Sequence, residues 1–317
     1  MNFILLFFIL LILELLYFKV ADRYNIIDRP NHRSAHTEIT LRGGGVVFWF
    51  VALLYFLQHI ERHYLFFVGI TLVSLVSFWD DIQSLPNKIR LITQFLAISL
   101  VLYSLGFFAI VPVWGILLTY IMAVGIINAF NFMDGINGIT GLYTVAVLSS
   151  LLYVNAYVVV FTSFDFIVYP MIASMVFLFF NFRKKAKCFA GDVGSISIAF
   201  WIIYLLLQLI LKTESLVWLL FLGVYGVETI ATIAHRIHLK ENIFEAHRWH
   251  LYQVLSNGYK IQHRIVAMMY ASLQGLVSVV VIYGYSQFED FSLFALILMP
   301  LLVLYSIKFY LLKKIKY

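Results

Sequence analysis

Long apolar stretches recur along this chain, and the polar segments between them alternate between basic and charge-poor; this alternation constrains the fold more than any other feature. Runs of about 20 apolar residues match the ~30 Å hydrocarbon thickness of a bilayer. With 63% hydrophobic residues, 12% charged residues and a mean hydropathy of +0.94, the chain is excluded from the soluble globular class. The expected fold is an all-α polytopic membrane protein of about eleven transmembrane helices in one integral-membrane domain, 1–317. The spans read as 2–21, 43–60, 64–79, 89–105, 107–127, 138–162, 166–181, 194–211, 214–234, 265–285 and 290–311. The first span has no basic segment before it and no small-residue cleavage site after it, so it reads as a retained helix.

Translocating cations is disfavoured, so the distribution of Lys and Arg orients the chain. The loops after spans one, three, five, seven and nine and the C-terminus, together with the span ends that adjoin them, hold all of the 22 Lys and Arg residues except Arg62 and Lys212. The basic side is therefore expected to be cytoplasmic, with the N-terminus outside and the C-terminus inside. The net charge of +6 describes that one face. Its cations are scattered over membrane-proximal loops without a binding-motif pattern, which argues for attraction to membrane lipids and against nucleic acid. Cys188 stands alone, excluding an internal disulfide and a cysteine metal cluster. Since all the chemistry-bearing runs lie on this side, the arrangement points to an enzyme working at a bilayer surface.

The first basic loop runs from Asp28 through Arg29, Pro30, Asn31, His32, Arg33 and Ser34 to Arg42-Gly43-Gly44-Gly45 at the mouth of span two. The glycines permit close backbone approach or helix packing; with no Walker lysine after them, a P-loop is not indicated. The second loop sets Asp80 and Asp81 side by side at a membrane boundary. Desolvation and mutual repulsion make that pair costly unless cations or hydrogen-bond donors offset it, which favours a functional role. Lys88 is spaced to neutralise one carboxylate or to hold a phosphate.

In the third loop, Asn128, Asn131 and Asp134 recur every three residues at the end of span five, before Gly135, Asn137 and Gly138. Oxygen donors at that spacing suit a hard cation such as Mg²⁺, which keeps waters and prefers carboxylate with substrate phosphate; an Asn- and Gly-rich turn is the other reading. The fourth loop carries Asn181, Arg183, Lys184, Lys185 and Lys187, then Phe189-Ala190-Gly191-Asp192-Val193-Gly194-Ser195 at the start of span eight. Either Asp192 and Ser195 cap the helix, or the helix N-terminus faces an anion on which Asp192 holds a metal. Phe189 reads equally as a stacking platform or a membrane-facing aromatic.

The fifth loop offers His235, Arg236 and His238, then Glu241, Asn242 and the run His247-Arg248-Trp249-His250-Leu251-Tyr252-Gln253. Its His-Arg-His spacing suggests a phosphate-binding edge on a short interfacial helix. Zinc is the rival, without HExxH or a cysteine pair to support it. Two acids fall inside spans: Glu14, read as a lipid-interface or helix-contact residue, and Glu228, read as pairing toward the cytoplasmic site.

Asp80-Asp81, NAFNFMDGING at 128–138, FAGDVGS at 189–195 and HRWHLYQ at 247–253 together resemble, in order and spacing, the polyprenyl-phosphate N-acetylhexosamine-1-phosphate transferases, glycosyltransferase family 4, over residues 28–253. The resemblance implies a UDP-N-acetylhexosamine donor, undecaprenyl phosphate as acceptor, Mg²⁺ (or Mn²⁺) as cofactor, and a site on the cytoplasmic face of a bacterial inner membrane. It implies Asp192 as metal ligand with Asn131 as the second, and Asp80, Asp81, Asp134 and His250 as catalytic groups. Phe189, Asn137 and Asn181 match the uridine pocket, and Lys88, His247, Arg248 and His250 match groups that handle diphosphate and sugar. Asn128 and Arg236, from the loop readings, join the substrate-binding set. Many bacterial members carry Asp at Asn137 and Met at Ala190. HRWHLYQ resembles the O-antigen and capsule branch, which leans the expectation toward initiation of a surface polysaccharide.

On that expectation a phosphate oxygen of the lipid attacks the β-phosphorus of the UDP-sugar and expels UMP. A phosphate monoester with second pKa ~6 is largely dianionic at neutral pH, so a general base is dispensable. Asp80 and Asp81 then orient, relay metal or tune charge, the alternative being a two-step route with Asp80 as covalent nucleophile. Two other classes fit the span count: a secondary transporter, whose ionisable groups belong near the midplane, and a noncatalytic lipid-carrier-binding subunit, for which the acidic motifs are superfluous. The hexosamine (GlcNAc, GalNAc, QuiNAc or FucNAc) is left open, as is monomer or homodimer.

Overall fold

The computed structural model describes residues 1–28, 39–60, 63–242 and 248–314. In chain order these form α1 (Phe3–Arg23), β1 (Ile27–Asp28), β2 (Thr40–Leu41), α2 (Val47–Gln58), α3 (Tyr64–Ile82), α4 (Asn87–Ser104), α5 (Phe107–Ile110), α6 (Val113–Met133), α7 (Ile139–Tyr157), α8 (Phe164–Asn181), α9 (Gly191–Thr213), α10 (Gly223–His238), α11 (Leu251–Gln253), α12 (His263–Gly284) and α13 (Asp290–Lys314). The protein is an all-α multi-pass membrane protein. Among the described residues nine helices are long and apolar enough to cross a bilayer, one of them the 3₁₀ turn Val217–Leu222 continued by α10.

The two remaining expected spans fall on α2, which is only 12 residues long, and on α4, whose first turn carries Lys88 and Arg90. The fifth expected span begins later than its apolar run, at Val113. Gly106 is left-handed, with φ of 65°, and Pro112 caps α6, so the segment between them closes only one short turn, α5. A two-residue antiparallel ladder, Ile27 opposite Leu41 and Asp28 opposite Thr40, is the one departure from helix among the described residues that pattern reading did not foresee.

The helices are arranged around α9. Of its membrane window 89% is buried inside the protein, against 22% for each of α1, α6 and α13. It packs against α2, α3, α6 and α7, and small hydroxyl residues let it approach closely, as where Ser74 and Ser197 meet at 2.7 Å between α3 and α9. The break before α10 is satisfied from inside. Gln274 of α12 accepts the Val224 N–H at 3.1 Å and the Tyr143 hydroxyl at 2.7 Å, and it donates to the Leu220 carbonyl at 3.0 Å. Non-helical backbone at membrane depth persists where protein covers it, as here.

Candidate active site

The site is built around the N-terminus of α9. Leu41 forms a bridge with Cys188, the Phe189 N–H donates to the Leu41 carbonyl at 2.8 Å, and the Gly44 and Gly45 N–H groups donate to the Phe189 and Ala190 carbonyls at 2.8 and 3.0 Å. This zips the first loop onto the fourth. The backbones then cross so closely that a Cβ on Gly194 would stand 2.7 Å from the Gly45 Cα, and one on Gly45 would collide with the Gly194 backbone. The glycine run is thus a crossing point between chains, not a phosphate loop.

Asp81, at the C-terminal end of α3, caps α9. Its two oxygens accept the N–H groups of Asp192 at 2.9 Å and Val193 at 3.0 Å, and the Arg42 Nε lies 2.8 Å from it. Gly191 makes this dock fit: its φ is +70°, and a side chain there would occupy the space of the Asp81 carboxylate. The cap expected within the fourth loop is therefore supplied from another helix. Asp192 points away from its own N–H. Its carboxylate lies 3.3 Å from Arg90 Nη1 and 3.6 Å from Arg42 Nη2, with Asn131 and Asp80 alongside. Asp80 in turn takes Arg90 Nη1 at 2.9 Å and the Leu85 N–H. Side-chain exposure separates the three carboxylates: 15% for Asp192, 9% for Asp80 and none for Asp81.

The third loop closes over the fourth. Asn131 donates to the Ser195 hydroxyl at 3.3 Å, Asn137 to the Arg183 carbonyl at 3.0 Å, and Asn181 both accepts the Gly138 N–H at 2.6 Å and donates to the Cys188 carbonyl at 2.8 Å. Asn137 and Asn181 are buried and serve here as loop ties. Asn128 turns toward α4, donating to Gln94 at 3.3 Å. Asp134 accepts the Thr140 hydroxyl at 2.6 Å. Burial pushes its carboxyl up to about 7, opposed by the Thr140 hydroxyl and reinforced by the charge of Asp192. In the unfolded chain the group returns to the ordinary range near 4, so the folded state binds this proton more tightly. The resulting stabilisation is full at low pH and is lost as pH rises from about 4 to about 7. Asp134→Asn keeps an acceptor for Thr140 without ionising, and it is expected to flatten that decline. Melting curves between pH 5 and 8 check it, and an unchanged slope contradicts it.

The fifth loop reaches the third through Tyr252, whose hydroxyl donates to the Phe132 carbonyl at 3.0 Å over Gly135. His250 caps α11 and is 2% exposed, with Nδ1 3.7 Å from a Glu228 oxygen. Arg248 is half-buried beside it, whereas His247 lies outside the described residues, as does 29–38 of the first loop.

Two expectations are corrected here. His235, Arg236 and His238 form the last turn of α10 and not a separate interfacial helix; Arg236 is buried, donating to Glu241 at 3.0 Å and to the Asn242 carbonyl, because a guanidinium this deep needs acceptors close by. Lys88 is exposed, and Arg90, two residues further into α4, is the cation that reaches the carboxylates. Of the two readings of Glu14, the internal contact holds: it is fully buried against the Gly44–Cys188 crossing. Phe189 is half-buried, with its backbone in the zipper to Leu41. Arg42 and Arg90 are the residues that sequence reading passed over as topogenic charge.

The donor set fits a hard cation. Two neighbouring carboxylates, Asp192 and Asp80, offer oxygen, the Asn131 side chain is hydrogen-bonded to Asp192, and two guanidinium groups now balance that charge. Among the described residues no trio of His, Cys, Asp and Glu forms a closed metal cage. Mg²⁺, bound through one or two carboxylates with waters and substrate phosphate, does not need one.

A multi-pass helical protein that gathers acids and arginines at one end of its spans can be compared with membrane-embedded transferases. Residues 63–210 match the family model of glycosyl transferase family 4. It is 28% identical over 291 residues to the probable undecaprenyl-phosphate N-acetylglucosaminyl 1-phosphate transferase of Bacillus subtilis (strain 168), covering 84% of this chain and 75% of that protein. Against the undecaprenyl-phosphate alpha-N-acetylglucosaminyl 1-phosphate transferase of Escherichia coli (strain K12) the identity is 25% over 302 residues, covering 85% and 80%. Against that of Salmonella typhi it is 28% over 268 residues, covering 75% and 71%.

Proposed function

We propose that this protein transfers an N-acetylhexosamine 1-phosphate from a UDP-sugar to undecaprenyl phosphate on the cytoplasmic face of a bacterial inner membrane, releasing UMP and initiating a lipid-linked surface polysaccharide. The observation that carries the reading is the meeting of Asp192, Asp80, Arg42 and Arg90 at the start of α9, where five loops from the basic side of the chain converge. The names of the relatives supply the lipid acceptor and make N-acetylglucosamine the first sugar to test.

In the reaction an oxygen of the lipid phosphate forms a bond to the β-phosphorus of the donor, and the bond from that phosphorus to the bridging oxygen breaks, so that UMP leaves with the oxygen and its electron pair. Asp192, Asn131 and Asp80 would hold Mg²⁺, which supplies positive charge against the diphosphate. Arg42 and Arg90, each already within 3.6 Å of Asp192, turn their guanidinium groups to the phosphoryl oxygens, for which a planar fork is well suited. His250 and Arg248, from the fifth loop, are assigned here to the handling of the transferring group. Asp81, with both oxygens taken by main-chain N–H groups and its side chain inaccessible, positions Asp192. A covalent route through Asp80 is disfavoured by the same logic, because its oxygens are engaged by Arg90 and the Leu85 N–H.

Purified protein in detergent, given undecaprenyl phosphate, Mg²⁺ and a panel of UDP-N-acetylhexosamines, is expected to release UMP in step with a lipid-diphosphate sugar. Donor binding without UMP release, or sugar-nucleotide uptake into proteoliposomes, would overturn the assignment.

A further inference from the structure

Glu228 belongs to none of the motifs, yet it is the buried acid against which the His250 turn is built. It sits on α10, 3% exposed, and one of its oxygens, Oε1, does two things: it accepts the Tyr252 N–H at 3.2 Å and lies 3.7 Å from His250 Nδ1. The other oxygen accepts the hydroxyl of Tyr270 from α12. The His250 ring stacks on Tyr252 with centroids 5.6 Å apart and planes at 21°, and the Gln253 side chain accepts the His250 N–H at 3.2 Å. The Tyr252 hydroxyl is itself fixed to Phe132, two residues before Asp134. Nearby on α13, the buried Lys308 donates to the Tyr305 hydroxyl at 2.6 Å, and Tyr305 is bonded to Thr232 of α10.

A carboxylate taken this far from water is costly unless its environment uses the charge. Packing alone does not need one here: a neutral amide would accept the Tyr252 N–H on its oxygen and donate through its nitrogen to the Tyr270 hydroxyl oxygen. What an amide lacks is charge facing an imidazole nitrogen, and the partner of one ring nitrogen fixes the orientation and protonation of the other. We infer that Glu228 is a positioning residue for His250, fixing the imidazole on the reaction side of the fifth loop; this rests on the reading of His250 given above.

The test is a double-mutant cycle on UMP release at saturating substrates, with Glu228→Gln, His250→Gln and the two combined. Glu228→Gln is expected to lower kcat by about 10-fold with KM little changed, and His250→Gln by about 100-fold or more. The combined variant is expected to match His250→Gln within about 3-fold, since a residue acting through another has nothing left to position. Losses that multiply would overturn the inference and leave the His250 reading standing. A near-normal His250→Gln would remove the His250 reading and the inference with it, and a near-normal Glu228→Gln would overturn the inference alone. Glu228→Asp, which keeps the charge but draws it back by one carbon–carbon bond, runs the same cycle should the amide variant not fold.

Discussion

Asp192→Asn is expected to lower transfer by on the order of 10³-fold while leaving the protein folded, inserted and monodisperse. The asymmetry follows from what each part of the residue does. Its main-chain N–H is held by Asp81, and that bond survives the substitution. Its side chain is the most accessible of the three acids, and its contacts to Arg42 and Arg90 are long, at 3.6 and 3.3 Å, with Asn131 and Asp80 alongside. Partly exposed pairs of this kind add little stability, so little is lost on removing one. A carboxylate that must hold a divalent cation against a diphosphate has no substitute in an amide. UMP release and donor binding measured on the same preparation check this, and near-normal transfer with unaltered Mg²⁺ dependence would remove Asp192 as the metal ligand.

The helical, multi-pass fold was legible because bilayer thickness leaves few solutions for long apolar runs. The charge pattern grouped the five polar loops, and the structure joins those loops to one another. What one sequence could not resolve is which of two like residues does which task. Asp80 and Asp81 look interchangeable, but a helix turns about 100° per residue, and that rotation sends Asp81 into the α9 N-terminus and leaves Asp80 on Arg90. Lys88 and Arg90 differ in the same way, by their position on the first turn of α4. Arg42 was hidden because an arginine that sets topology and one that pairs with buried acids are the same letter in the same kind of loop. Glu14 was left between two readings for a related reason: a single acid in an apolar helix carries no sign of whether lipid or protein faces it, and here it lies under Gly44.

Gly45→Ala is expected to do what Asp192→Asn does not, abolishing activity by loosening the fold. The added methyl would fall on the Gly194 backbone and, nearby, on the Ala190 carbonyl, and neither is a flexible side-chain tip that can swing aside. Relief therefore requires the start of α2 to move off the start of α9. That movement strains the Gly44–Phe189 and Gly45–Ala190 hydrogen bonds and draws Arg42, three residues back, away from Asp81 and Asp192. Overpacking at a tight contact costs about 1–3 kcal/mol, and separating Arg42 from the fully buried Asp81 adds to it. For a chain of this size a loss of that order lowers the melting temperature by roughly 5 °C or more. The measurement is a thermal melt in detergent alongside UMP release. The discriminating result is the pairing: Gly45→Ala should lose stability and turnover together, whereas Asp192→Asn loses turnover alone. If Gly45→Ala melted with wild-type protein and kept its turnover, the close crossing of α2 and α9 would not be what holds Arg42 and the Asp192 carboxylate in register.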